Sequence, residues 1–142
     1  MEKVSISHHN NINHVWMQLL DLYKKEINTL SEKLSAIATK NDDPYVLQKT
    51  NGYKGQFDAQ LSSIRRLQND ISSSIPNLAN LAQHIKDGFI DYTLLLKHNQ
   101  LKDRFITEEK IFHEIRNGFK LFDANLANWA SSHPSNVPIM LL

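Results

Sequence analysis

Histidine has the widest chemical reach of any residue type in this chain, and there are seven of them. Helical proteins build iron and manganese sites from Glu-x-x-His pairs, or from His-x-x-x-His and His-x-x-x-Glu pairs, because these spacings set two ligands on one face. By residue type the candidates for such a site are His14, Glu26, His98 and His113. Their spacing supplies no second ligand. Three residues before His84, His98 and His113 stand Leu81, Leu95 and Lys110, and four residues after His14, His84, His98 and His113 stand Gln18, Gly88, Lys102 and Asn117. The same-face combinations that remain, His84 with Asp87 and Glu109 with His113, suit surface contacts worth about 0.5 kcal/mol better than ligation. The expectation is no metal and no cofactor.

Other chemistries fare no better. His84-Ile85-Lys86-Asp87-Gly88 has the residue types of a phosphotransfer helix but not the spacing. The absence of cysteine removes a disulfide scaffold, a thiolate zinc site and a cysteine nucleophile together. Gly52 and Gly55 do not form a phosphate-cradling loop before a Lys-Ser or Lys-Thr pair. Glu108 and Glu109 read as acids at the start of a helix, where the dipole favours them. The chain is therefore expected not to be an enzyme.

Sixteen basic residues against fifteen acidic ones give a net charge of +1, and the two signs are interspersed. No broad cationic face is available to a phosphate backbone, so nucleic acid is not an expected partner; the densest basic spot is Arg65-Arg66. No apolar run approaches the ~20 residues of a membrane span, and Met1–His14 lacks the apolar stretch of a secretory signal. A soluble, cytoplasmic protein is the default expectation, and 142 residues suit one domain.

The positioning elements are helices. Trp16, Leu20, Tyr23, Ile27, Leu30, Leu34 and Ile37 alternate spacings of four and three, which lays one apolar seam along a helical face. Further seams run through Phe57, Leu61, Ile64, Ile71 and Ile75, through Ile85, Phe89, Tyr92 and Leu96, and through Phe112, Ile115, Phe119, Phe122, Leu126 and Trp129. The first helix is expected over about residues 11–39, after a flexible arm at about 1–10. Asp43-Pro44 should cap and open the second helix, which continues past Gly52 and Gly55 and ends where Ser72-Ser73-Ser74-Ile75 meets Pro76. A third helix is expected from Leu78 to about His98. The apolar phase then slips, and Thr107, with Ile106 and Ile111 as a staple, is positioned to cap a fourth. A tail follows at about 132–142. The fold class is thus all-α, an antiparallel up-and-down four-helix bundle, with three long helices in a coiled-coil-like bundle as the alternative if the slip is a stutter.

His14-Val15-Trp16 with Leu20, Tyr23-Lys24-Lys25-Glu26-Ile27, Tyr53-Lys54-Gly55-Gln56-Phe57, His98 with Leu101-Lys102-Asp103-Arg104, and the stretch from Ile111 to Phe122 together resemble a family of small all-helical proteins from Bacteroidetes bacteria. The likeness is one of general pattern over most of the chain, and Gly52 and Gly55 depart from the glutamine- and asparagine-rich helix of that family. It brings no activity, and it implies greater helical continuity over Asp91–Trp129 than four helices allow.

Leu19, Leu22, Leu94, Leu95 and Phe105 lie beside the seams and exceed what one small core is expected to bury. That surplus points to a non-enzymatic protein-interaction or scaffolding bundle whose partner is another protein or a second copy. The alternatives are a ligand- or metal-binding bundle and an adaptor or chaperone for a client protein.

Overall fold

The computed structural model describes residues 6–82 and 92–132, with side chains over 11–74 and 95–127. Three helices make up the described residues: α1 (Ile6–Lys40), α2 (Pro44–Ala82) and α3 (Tyr92–Ser132). The residues between α1 and α2 are a short turn closed as its sequence predicts. The Asp43 carboxylate accepts from the amides of Tyr45 at 2.8 Å and Val46 at 3.3 Å, and the Asp43 carbonyl accepts from Leu47 at 3.0 Å. Pro44 has no N–H to leave unpaired at the first helical position.

Among the described residues the division into four helices gives way to the alternative of three. Residues 99–106 are helical, and Thr107 caps nothing; its hydroxyl donates to the Asp103 carbonyl one turn back, at 3.0 Å, as in a helix interior. The apparent phase slip came from aligning the seam on Leu96, which is 44% exposed, while its neighbour Leu95 is buried. Nor does α2 end at Pro76. Ser73 and Ser74 turn their hydroxyls onto the carbonyls of Asn69 and Ile71, at 2.9 and 2.7 Å, so the serine run is absorbed into the helix. α1 starts at Ile6, within the segment expected as an arm. Ile85, Phe89 and the tail beyond Ser132 lie outside the described residues, as do the side chains of Ile75, Tyr92, Leu94 and Trp129.

The chain forms two compact units: one from the residues up to Tyr23 with Ser62–Glu109, the other from Lys24–Leu61 with Lys110 onward. In the first unit Asn13 meets Ser74 and Asp21 meets Gln68, so α1 and α2 run antiparallel. Trp16 stacks on His98 and Phe105, and Tyr23 reaches Glu109, so α1 and α3 run parallel there. Leu20, Ile64, Leu67 and Ile71 form its fully buried centre. The second unit is aromatic: Phe57 and Phe119 meet edge to face at 5.7 Å, and Tyr53 packs on Phe119 and Phe122. Burying each such ring contributes roughly 1.5–3 kcal/mol.

The inward positions keep one register throughout. In α1 they are Asn13, Trp16, Leu20, Tyr23, Ile27, Leu30, Leu34 and Ile37, continued by Asn41 just past its end, every one buried. From His98 onward α3 repeats the alternation through Leu101, Phe105, Glu108, Phe112, Ile115, Phe119, Phe122 and Leu126, all buried or half-buried. Polar residues occupy places that the pattern reserves for apolar ones.

Candidate interaction surface

The four residues singled out for ligation are not gathered in one place. His14 is exposed on α1 in the first unit. His98 is buried in the same unit with its ring stacked on Trp16, centroids 5.0 Å apart and planes 21° from parallel. Glu26 and His113 belong to the second unit, and Arg116 joins them. Its Nη2 lies 2.9 Å from His113 Nδ1, its Nη1 3.7 Å from Glu26 Oε1, and its guanidinium 5.2 Å over the Phe112 ring. The group that draws Glu26 and His113 together is therefore a fixed cation, whose charge opposes a metal ion at that spot. Among the described residues no cluster of three or more histidines and acids could hold a metal ion.

Sequence reasoning missed the polar groups inside the first unit. Glu108, read as a helix-start acid, sits in mid-helix and in the seam, buried and accepting from the Ser63 hydroxyl. One residue on, Glu109 accepts from the Tyr23 hydroxyl at 2.5 Å. Asp21 accepts from Gln68 Nε2 at 2.8 Å, and Arg104 pairs with Asp70 at 2.6 Å on the exposed side. Asn13 is wholly buried, donates to Ser74 Oγ at 3.4 Å and has no partner for its Oδ1. Holding the Phe112 register backward through 108, 105, 101 and 98 is the signal that would have found Glu108 and His98. These carboxylates accept from hydroxyl and amide donors of neighbouring helices, which is how a polar group is satisfied inside a protein. That arrangement fixes which helices pair.

Among its exposed residues the first unit also presents several large apolar side chains. On α1, Val15, Leu19 and Leu22 fall at i, i+4 and i+7, hence on one face, with Val15 52% and Leu22 59% exposed and Leu19 half-buried. On α3, Ile106 is 50% exposed. The two helices meet here, because Val15 precedes Trp16, Ile106 follows Phe105, and those two rings stack at 5.6 Å. Of the surplus residues expected beside the seams, Leu95 and Phe105 are taken up by the core, while Leu19 and Leu22 remain on this face.

The described residues of the second unit line a groove and a cleft. A groove of about 280 Å³ between α1 and α2 is lined mainly by Ser31, Ser35, Thr39, Thr50, Asn51 and Lys54. A cleft of about 380 Å³ lies where α2 begins, among Asp43, Tyr45, Val46, Phe122, Asn125 and Leu126. Beside the cleft, burial chiefly, and then the neighbouring Tyr45, raise the pKa of the Tyr53 phenol above its ordinary 10.0. No helix among the described residues is long and apolar enough to cross a membrane. No family model, curated protein or solved structure matches the chain.

Proposed function

We propose that this protein is a non-enzymatic interaction or scaffolding bundle, and that it engages a helix of a second copy or of another protein through the Val15–Leu19–Leu22 face of α1, with Ile106 beside it. The observation that carries this reading is the exposure of Val15 and Leu22 on a helix whose inward seam is already complete. Single exposed apolar residues are ordinary on any surface, but three at helical spacing form a stripe that a partner helix can cover. Coiled-coil-like packing and a cytoplasmic setting belong to the same reading.

Light scattering coupled to size-exclusion chromatography tests it. The expected result is a mass that rises toward the dimer with concentration, and reverts to the monomer in a Val15→Asp, Leu22→Asp double variant that keeps its helical circular dichroism. Failure of the unmodified chain to associate at millimolar concentration removes the self-association form. Capture from a native lysate that is equal for the unmodified and doubly substituted chains removes the face altogether.

A further inference from the structure

The apolar face of α1 has a second row of residues beside it, on α3. Val15, Leu19 and Leu22 stand at i, i+4 and i+7, and Lys102, Ile106 and Glu109 repeat that spacing, so each set lies along one side of its helix. Two contacts fix the rows against each other. Trp16 stacks on Phe105 at 5.6 Å and the Tyr23 hydroxyl donates to Glu109 at 2.5 Å, which sets Val15 level with Lys102, Leu19 with Ile106 and Leu22 with Glu109 on parallel helices.

One row is apolar; the other carries a cation at one end and an anion at the other. Lys102 is exposed and in no ion pair among the described residues, and half-buried Glu109 accepts from a hydroxyl, not from a cation. Two copies of such a face can meet about a two-fold axis running either across the helices or along them. An axis across the helices lays each row on its own antiparallel counterpart: Val15 on the second copy's Leu22, Leu19 on Leu19, Ile106 on Ile106, and Lys102 on Glu109 twice over. An axis along the helices keeps them parallel and exchanges the rows, which sets Val15 on Lys102 and Leu22 on Glu109 and takes both charges out of water without a partner. Antiparallel pairing alone matches apolar with apolar and cation with anion.

We propose that the α1 face is covered by a second copy of this chain, docked antiparallel about an axis across Leu19 and Ile106, with Lys102 of each copy against Glu109 of the other. This rests on the reading of that face given above and adds its occupant and its polarity. The charges also discriminate: a bare apolar helix would leave Lys102 and Glu109 unpaired, whereas the chain's own α3 supplies both partners in reversed order.

The chain has no cysteine, so a single introduced one carries a spin label without background. Asn11 and Gln18 are exposed on α1, eight residues and one residue from Leu19. At 1.5 Å per residue, antiparallel pairing offsets two Asn11→Cys labels by about 24 Å along the helix and two Gln18→Cys labels by about 3 Å. The Asn11 distance in the dimer should therefore exceed the Gln18 distance by about 10–15 Å, whereas parallel pairing makes the two equal. Light scattering supplies the second readout. Lys102→Glu should weaken association at least about tenfold by setting like charges together, and Lys102→Glu with Glu109→Lys should restore most of it, both variants keeping their helical circular dichroism. Association that needs Val15 and Leu22 but gives equal label distances, or that the folded double reversal does not recover, overturns the antiparallel pairing and leaves the α1 face standing. A chain that stays monomeric, or whose association survives Val15→Asp with Leu22→Asp, overturns the second copy as occupant together with the self-association form of the reading beneath it.

Discussion

Tyr53 shows what a single side chain does here. It packs against Phe57, Phe119 and Phe122, and its hydroxyl stands 3.4 Å from where a Cβ on Gly118 would sit. Because the folded protein holds the phenol proton more tightly than the unfolded chain, the folded state has the raised pKa. The resulting contribution to stability is intact below pH 10 and is lost as pH rises through the folded value. Denaturation midpoints of the unmodified protein should therefore fall more steeply above pH 10 than those of Tyr53→Phe, with the two curves parallel at pH 7 to 9. Residue types alone were a poor guide to the interior. Trp16, Ile27 and Phe57 were legible as core because apolar residues leave water wherever the period permits. His98 and Glu108 were not, because their inward register follows only when 98–112 is held as one helix, and the groups they meet, Trp16 and Ser63, lie far away in sequence.

At the scale of elements, the contested stretch is the middle of α3. Lys102 is exposed and helical, so Lys102→Pro removes a backbone hydrogen bond without disturbing the core, and should cost about 3 kcal/mol in chemical denaturation. Had residues 99–106 been a loop, the change would be nearly neutral. Gly52 and Gly55 test α2 in the opposite direction. A Cβ at either position meets nothing within 4 Å, and both lie inside the helix, so each Gly→Ala change should raise stability by about 0.5–1 kcal/mol. Helix existence and the α1–α2 turn were legible because seams and caps are local signals. The boundaries near Pro76 and Thr107 were not: serine and threonine hydroxyls bond a helix's own carbonyls as readily as they cap a new one, and sequence does not say which.

For the whole molecule, each helix runs unbroken through both compact units, so helical order in one is propagated covalently into the other. Leu30 is buried in the second unit, and Leu30→Ala should cost about 2–5 kcal/mol. Trp16 lies in the first unit and supplies a distant reporter. In a Trp129→Phe background, Trp16 fluorescence and circular dichroism should report the same lowered midpoint; separate transitions would mean that the units unfold independently.

The uninterrupted alternation of three and four along α1 and α3 also sets rules for how this chain can change length. Seven residues added to a helix preserve its inward face and lengthen it by about 10.5 Å, whereas adding one or two rotates everything beyond them off that face. Matched heptad insertions in all three helices would add a full layer of inward residues, so viable relatives of different size should differ in steps of seven, taken by the three helices together.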